Sequence, residues 1–470
     1  MSFLKYFSDT EVESIHQTTL RILSEIGIVM TQKEGVEILS GAGAAVKNDR
    51  VYLAPTLVEE TVRKCPSEVR LEGRNKKPLV LGDGSLHFHN AGGAREVYDP
   101  AGNVRRPAVI QDVKDSTRLL DALENCSSIT TFFTPQDVPG PLMSLAMYRY
   151  ALPFTTKPIQ GPGVLTVEEV QFAIRMANVI GNPTKTVSLS LSPISPLIFS
   201  DDVTASMIEA SRQGITMAPL PCPTAGATSP MSIAGGLAQQ NAEVLASIVL
   251  CQLVNPGLPM VYCGRLSMMN PATAMVGSGI EMALIGAGTV QIGHRYGLPV
   301  NVYGLSSAAH TADIQNGFER SVNATIPALA GADELSGIGE MEASVMGSYT
   351  QMVSDNEIAT GIHHLRKGIK VDDDSLAFDV IAEAMEGNRN FLDKMHTVNY
   401  LRSGELANMK LSETRTLDTW EKEGRKGMNE RAAAEAKRIL NNHEVTPLSA
   451  DQEKELDDIM QEAQQQLVPS

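Results

Sequence analysis

Residues 297–307 read GLPVNVYGLSS, and residues 330–342 read AGADELSGIGEME. Each piece contains a short apolar strand that ends in small or polar residues, and the segment between them has the apolar spacing of an amphipathic helix. A strand, a helix and a second strand of this kind form the repeating unit of an α/β barrel, and in such barrels the chemistry takes place where the strands end. The stretch therefore predicts one wall of a small-molecule site.

Further apolar strands precede this stretch at fairly even intervals. They are predicted at residues 129–134, 157–161, 186–191, 215–220 and 259–264, and are followed by 299–304 and 334–338, with helical segments between them. Because these strands are apolar throughout instead of alternating, they indicate a parallel sheet that is covered on both faces. A doubly wound open sheet is the alternative, but no GxGxxG motif follows any strand. The pattern yields seven strands, and the eighth is expected near residues 353–358 or in an irregular segment.

The flanking sequence differs in character from this central part. Residues 1–125 predict an N-terminal α+β cap, whose first helix starts with the capping-box residues Ser8 and Glu11 and which includes a hairpin turning at residues 99–103. Residues 126–360 predict the barrel, and residues 361–470 predict C-terminal helices that pack on the barrel or on a neighbouring subunit. The predicted fold class is α/β: a TIM-type (β/α)8 barrel with an N-terminal α+β cap and C-terminal helices, assembled as a homo-oligomer.

The composition argues against several classes of function. The 470 residues carry 55 acidic and 39 basic side chains without a basic stripe, so no nucleic-acid partner is expected. No apolar run has the length of a signal peptide or a membrane span, and the expected location is the cytoplasm. The five cysteines have no CxxC or zinc-type spacing, so we expect free thiols and no metal. No GxSxG, HExxH or Walker motif occurs.

Charged residues at the predicted strand ends are the candidates for chemistry. Arg265 ends the strand VYCGR, where its guanidinium could hold a substrate carboxylate through two parallel hydrogen bonds or could pair with a neighbouring glutamate. His310 and Glu340 follow the last two strands as candidate acid–base residues, although Glu340 could equally cap the next helix. Strong acids and bases are few, which favours a site that binds and orients its substrate.

His87 and His89 form an HxH pair of the kind that places two imidazoles on one strand face in metal-dependent barrel hydrolases. The pair precedes the predicted barrel, and further ligands would have to come from His294 or His310. A metal-dependent hydrolase is therefore kept as an alternative function.

The chain resembles the trimethylamine methyltransferase superfamily in four segments that occur in the same order. They are residues 8–27 (SDTEVESIHQTTLRILSEIG), 96–122 (EVYDPAGNVRRPAVIQDVKDSTRLLDA), 235–259 (GGLAQQNAEVLASIVLCQLVNPGLP) and 313–339 (DIQNGFERSVNATIPALAGADELSGIG). The resemblance implies a barrel enzyme that passes a methyl group from an amine to the cobalt of a separate corrinoid protein. The archetype uses pyrrolysine, whose equivalent we expect between residues 331 and 347. Because this chain contains only the twenty ordinary amino acids, it resembles the branch without pyrrolysine, which is associated with quaternary amines such as glycine betaine, proline betaine and carnitine.

The resemblance implies a site whose main task is to select an amine, and not to transfer protons. A quaternary ammonium already carries an activated methyl group, so the protein need only orient and desolvate it. Aromatic faces are expected to hold the ammonium, although each ring could instead be ordinary core, and Arg265 or His310 would take the carboxylate of a betaine. The expected substrate-binding residues are Phe88, His89, Tyr98, Phe133, Arg265, Tyr303 and Tyr349, and the expected catalytic residues are Glu340 and His310. No tightly bound cofactor is expected, because the acceptor, cob(I)alamin, is carried by the corrinoid protein. A non-catalytic betaine-binding subunit is the other alternative.

Overall fold

Eight parallel strands form a barrel in the computed structural model, which describes residues 3–99, 104–161, 163–277 and 279–468. In chain order they are β1 (His87–Asn90), β2 (Cys126–Thr130), β3 (Ile159–Gly161), β4 (Val187–Leu189), β5 (Thr216–Met217), β6 (Tyr262–Gly264), β7 (Val300–Tyr303) and β8 (Glu334–Ile338). Their order in the sheet is β5-β4-β3-β2-β1-β8-β7-β6. The two ends of this sheet meet, because Met217 in β5 pairs in parallel with Met260, two residues before β6. The predicted TIM-type barrel is confirmed.

A helix follows each strand. These helices are α1 (Ile110–Ala122), α2 (Met143–Ala151), α3 (Val167–Ile180), α4 (Asp201–Arg212), α5 (Ile233–Val254), α6 (Glu281–Arg295), α7 (Ile314–Ala330) and α8 (Tyr349–Lys367). Among the described residues, α5 alone is long and apolar enough to cross a membrane, but 89% of its apolar window is buried inside the protein. It packs against the helices Asp9–Arg21 and Pro55–Val62 and is a core helix.

The eighth strand lies at the start of the barrel and not at its end. β1, with the sequence HFHN, pairs in parallel with β2 through Phe88 and Cys126, and with β8 through His87 and Glu334. The expected strand near residues 353–358 is wrong, because these residues lie inside α8. The short β1 contains a single apolar residue, so the apolar pattern that marks the other strands does not mark it. The division of the chain at residues 125 and 360 stays a prediction.

The residues before β1 pack on the outer helices α5 and α4, and their last hairpin covers one end of the barrel. Their helices are Asp9–Arg21, Lys33–Gly41 and Pro55–Val62, with a π-helical turn at Ile22–Ile26, and their strands are Ile28–Met30, Ala45–Lys47, Arg50–Tyr52, Val69–Glu72 and Pro78–Leu81. The predicted capping box of Ser8 and Glu11 is present. The hairpin of the last two strands packs Leu71 and Leu79 in one apolar cluster with Val261. The Val80 carbonyl oxygen lies 3.1 Å from Nε2 of His87, at the start of β1. This hairpin therefore closes the N-terminal end of the barrel.

Short strands in the loops after the barrel strands build the opposite rim. They are Glu96–Asp99, Val104–Pro107, Ile198–Phe199, Thr224–Ala225, Ser267–Met269, Val276–Gly277, Glu340–Met341 and Met346–Gly347. The first two form the predicted hairpin; of the turn expected at residues 99–103, Asp99 ends the first strand and residues 100–103 lie outside the described residues. The remaining short helical turns are Gly140–Leu142, Leu152–Phe154 and Pro183–Thr186. After α8 the chain forms the helices Asp373–Leu376, Phe378–Glu386, Met395–Arg402, Leu417–Lys422, Met428–Asn442 and Ala450–Leu467.

Candidate active site

A small polar cavity lies where the strands of the barrel end. Its volume is about 140 Å³, and its lining comes from strand ends and the loops that follow them: His89, Asn90, Ala91, Gly92, Thr130, Gln160, Gly161, Ser190, Leu220, Cys263, Arg265, Asn301, Tyr303, Ser336 and Ser344. Burial raises the pKa of the Cys263 thiol to about 12, so this cysteine is not a thiolate nucleophile at neutral pH. The lining is rich in groups that donate or accept hydrogen bonds.

A larger hollow of about 720 Å³ lies elsewhere. It is lined by Leu123 just before β2, by Val353 and Asn356 of α8, and by Arg431 and His443 in and after the helix Met428–Asn442. Because Leu123 precedes the start of β2, this hollow belongs to the end of the barrel opposite the strand C-termini. Barrel enzymes build their active sites at the strand C-termini, so we assign the site to the smaller cavity.

Arg265 is the cation of the cavity. Its Nη1 donates to the backbone oxygens of Gly264 at 3.1 Å and Asn301 at 2.9 Å, and its Nη2 donates to Oδ1 of Asn301. The residue is 4% exposed, and the guanidinium carbon lies 4.8 Å from the centre of the Tyr303 ring. Within the described residues Arg265 forms no ion pair, so the structure does not show the alternative in which Arg265 pairs with a neighbouring glutamate. Three of its five N–H groups are engaged, which leaves the two that a bidentate carboxylate needs.

Asn301 connects this cation to a buried carboxylate. Since Oδ1 of Asn301 accepts from Arg265, its Nδ2 faces the other way, donating to Oε2 of Glu334 at 2.5 Å and lying 3.0 Å from Nε2 of His89. The other oxygen of Glu334 accepts from Gln160 at 2.6 Å and from Ser128 at 2.9 Å. The charges of Arg265 and Glu334 are therefore coupled through an amide, and this network forms a rigid polar floor.

His89 joins the same floor as a neutral imidazole. Its Nε2 accepts from Asn301, so its Nδ1 carries the proton and donates to Oγ1 of Thr130 at 3.1 Å. Burial lowers the pKa of His89, which agrees with the neutral form. His89 therefore lies in the cavity wall, and its expected role in binding substrate stays a prediction.

Glu340 lies behind the wall and contacts the cavity through a neighbour. Its Oε2 accepts from the hydroxyl of Ser344, which lines the cavity, and its Oε1 accepts from the backbone N–H of Ser307 at 3.3 Å. Glu340 is fully buried, and this burial raises the pKa of its carboxyl. The structure thus places Glu340 as a group that positions Ser344.

The loop that carries Ser344 has an unusual backbone. Glu342, Ala343 and Ser344 follow one another in the left-handed region, with φ of 52°, 50° and 72°, and Gly339 has φ of 87°. Left-handed residues other than glycine are rare and cluster at functional sites. The buried ion pair of Arg320 and Asp355, at 3.0 Å, supports this loop, since Asp355 accepts from the N–H of Gly339 at 2.7 Å.

Most of the predicted aromatic residues lie outside the cavity. Phe88 packs edge-on against His363 of α8, with 5.1 Å between ring centres, because neighbouring residues of a strand point to opposite faces and His89 points inward. Phe133 packs against Tyr349 at 5.9 Å, and the Tyr349 hydroxyl donates to Asp112 at 2.8 Å. Tyr98 lies on the rim hairpin. In the described part of the cavity lining, Tyr303 is the one aromatic ring, so the expected cage of several rings is not assembled there.

The remaining histidines also lie apart from the cavity. His310 is 62% exposed in its side chain, and its Nδ1 lies 3.4 Å from Oε1 of Glu342 on the rim. His87 points to the closed end of the barrel, where it meets the Val80 carbonyl. Among the described residues no three His, Cys, Asp or Glu side chains come together as metal ligands, so the hydrolase alternative lacks a ligand set.

The sequence alone did not assign Asn301 or Ser344 to the site. A signal for Asn301 was present, because an asparagine in the middle of the apolar strand PVNVY needs buried partners. Ser344 gave no such signal, since it reaches the cavity only through the left-handed loop.

A closed (β/α)8 barrel with a small polar cavity at its strand C-termini is the architecture of a barrel enzyme acting on a small molecule. The chain belongs to the trimethylamine methyltransferase (MTTB) family, whose sequence profile matches residues 1–468, and thereby to the corrinoid-dependent methyltransferases. It is 32% identical over 453 residues to the trimethylamine methyltransferase MttB of Desulfitobacterium hafniense strain DCB-2, covering 94% of this chain and 90% of that protein. It is 31% identical over 449 residues to the glycine betaine methyltransferase of D. hafniense strain Y51, covering 93% and 92%. The crystal structure of the Methanosarcina barkeri monomethylamine methyltransferase MtmB compares with a TM-score of 0.49 and 11% identity, over 93% of each chain.

Proposed function

We propose that this protein transfers a methyl group from a carboxylated quaternary amine, a betaine, to the cob(I)alamin of a separate corrinoid protein. The observation that carries the proposal is Arg265, a buried cation at the cavity with no ion-pair partner among the described residues and with two N–H groups left for a ligand. A buried charge is costly until it is paired, so the cavity favours an anionic group. Glycine betaine, proline betaine and carnitine each provide one.

The ammonium end would rest against the Tyr303 ring and polar oxygens of the wall. A single ring contributes about 0.5 to 2 kcal/mol to binding a desolvated cation. The hydroxyls of Ser336 and Ser344 line the same space, with Ser344 held by Glu340. Because a quaternary ammonium departs as a neutral amine, no proton donor is required at the nitrogen. The role proposed for these residues is therefore to orient the methyl group and exclude water.

The corrinoid is proposed to meet the barrel at its rim. Cobalt(I) of the corrinoid supplies the nucleophile, but a corrin ring is far larger than a cavity of about 140 Å³. Exposed apolar side chains occur on the loops that follow the strands and at the start of α7, among them Leu165 (59% exposed), Met231 (50%), Val276 (45%), Ile314 (90%) and Val345 (46%). Such a rim suits a protein partner. The cytoplasm remains the expected location.

A substrate panel tests the proposal. The purified protein is incubated with cob(I)alamin on a corrinoid protein and, in turn, glycine betaine, proline betaine, carnitine, choline, tetramethylammonium and trimethylamine. Methylcobalamin is followed by absorbance, and the demethylated amine is measured independently. We expect methyl transfer from at least one betaine, with one demethylated amine for each methyl group transferred, and none from trimethylamine. Failure of the whole panel refutes the proposal, whereas calorimetric binding of a betaine without transfer supports the binding-subunit alternative.

A further inference from the structure

Residues 369–408, called the arm below, expose an apolar surface that this chain does not cover. Eleven large apolar side chains of the arm are exposed, including Ile369 (87%), Phe378 (77%), Leu392 (82%) and Leu406 (68%). Ala384 is its one buried residue. Large exposed apolar patches are rare on soluble monomers and mark surfaces that bind a partner.

Among the described residues, the hydrogen bonds that join the arm to the rest of the chain lie at its two ends. At one end Nζ of Lys367 donates to the Gly404 carbonyl at 3.3 Å. At the other, Glu357 of α8 accepts from the N–H groups of Lys410 at 3.0 Å and Leu411 at 2.7 Å. Between them, every described hydrogen bond of residues 370–403 joins two residues of the arm, such as Tyr400 and Asp374. The arm is thus an outward projection with its own internal structure.

The two halves of the arm carry opposite charge. Residues 372–386 contain six acidic side chains and no basic one, whereas residues 387–402 contain Arg389, Lys394 and Arg402 against a single acid, Asp393. If two arms pair across a two-fold axis, the acidic half of each lies against the basic half of the other. An interface of this isologous kind is the commonest in homo-oligomers.

The position of the arm also indicates which partner can cover it. The residue before α8, Ser348, donates its N–H to the carbonyl of Gly339 at the mouth of the barrel. At the other end of α8, Arg366 donates to the carbonyls of Ala332 and Gly84, just before the starts of β8 and β1. The arm therefore leaves the barrel at the end opposite the mouth. On the proposed function, the corrinoid protein has to reach the mouth, so it does not cover the arm.

We infer that the arm is a dimerisation element, in which two copies of this chain pair their arms antiparallel across a two-fold axis. The apolar faces are then buried against each other, and the charged halves complement each other. A stable interface needs roughly 1,200 to 2,000 Å² of buried surface, a scale that a helical segment of this length can supply. The pairing leaves both barrel mouths open.

Sedimentation velocity of the full-length chain at micromolar concentration is the first test. We expect the wild type to sediment as a dimer or a larger even-numbered assembly. Phe378→Asp combined with Leu392→Asp should halve the mass, while Ile314→Asp, an equally exposed apolar position outside the arm, should leave it unchanged. Circular dichroism and a melting curve establish that each variant is folded. A monomeric wild type, or folded arm variants that keep the wild-type mass, would overturn the inference.

A charge exchange tests the antiparallel arrangement. One variant carries Asp373→Lys, Asp374→Lys, Asp379→Lys and Glu386→Lys, which changes the net charge of residues 372–386 from −6 to +2. A second carries Arg389→Glu and Arg402→Glu, which changes the net charge of residues 387–402 from +2 to −2; all six side chains are exposed. Each variant alone should sediment at half the wild-type mass, because like charges then oppose each other. An equimolar mixture should recover the wild-type mass as a mixed dimer. A mixture that stays at half mass overturns the antiparallel pairing.

Discussion

Replacing Arg265 by alanine should remove selectivity for the carboxylate of the substrate. The guanidinium is 4% exposed, so solvent screens its interaction with a ligand only slightly. Loss of one member of a buried, hydrogen-bonded charge pair costs about 2 to 5 kcal/mol. A value of about 3 kcal/mol corresponds to a fall of roughly 100-fold or more in kcat/KM. Choline has the same ammonium group and no carboxylate, so its kcat/KM should change by less than about threefold.

The assay compares kcat/KM of glycine betaine and choline in the corrinoid methylation reaction. Arg265→Lys should lie between wild type and Arg265→Ala, because lysine keeps the charge and loses the planar fork. Arg366→Ala serves as the matched control, since Arg366 is also a buried arginine but lies at the closed end of the barrel. Any loss it causes should be shared equally by the two substrates. If Arg265→Ala weakens betaine and choline by the same factor, the assigned role is wrong.

Three further predictions concern the fold and the wall of the site. Burial lowers the pKa of His363 from 6.5 to about 4, so the unfolded chain takes up a proton at this residue before the folded chain does. The stability of the fold should therefore fall as the pH drops from about 6.5 to about 4. In His363→Gln the decrease in Tm between pH 7 and pH 5 should be smaller than in the wild type, and an unchanged decrease would contradict this assignment. A Cβ at Gly347 would clash with the Phe132 ring, so Gly347→Ala should lower the free energy of unfolding in urea by about 1 to 3 kcal/mol. Gly317 lies in an open helical position, so Gly317→Ala should raise it by about 0.5 to 1 kcal/mol. Equal effects of the two substitutions would argue against the packing described. Glu340→Gln keeps an oxygen that can accept a hydrogen bond and should retain kcat within about tenfold, while a loss of 1,000-fold would show that the carboxylate itself takes part in catalysis.

The barrel could be predicted from sequence because its strands are buried on both faces. β7 and β8 read as apolar runs with polar ends, and the rule that barrel chemistry lies at strand ends led directly to Arg265 and Tyr303, both of which line the cavity. β1 was expected to be a strand but not a strand of the barrel, because two histidines and an asparagine fill three of its four positions. Their partners, such as Thr130 and Val80, are distant in sequence, and a single sequence does not reveal such pairings.

The aromatic residues show a second limit on what the sequence alone can predict. Phe88 and His89 are adjacent, and a strand sends adjacent side chains to opposite faces, so both could not line the cavity. Nothing local fixed which of the two pointed inward. That choice depends on the barrel as a whole, because a neutral histidine can be buried beside Asn301 while the phenylalanine ring packs against α8. The binding roles of His89, Arg265 and Tyr303 stay predictions.

The hairpin Val69–Glu72 and Pro78–Leu81 closes one end of the barrel, and this has a kinetic consequence. With the interior closed there, the proposed function requires the amine, its demethylated product and the cobalt of the partner to share the entrance at the mouth. A docked partner then blocks exchange of the small molecules, which requires that the amine enters before the partner arrives and that the product leaves after the partner has gone. Initial-rate measurements should therefore show a compulsory order of addition, with inhibition by excess corrinoid protein that rising betaine concentration relieves.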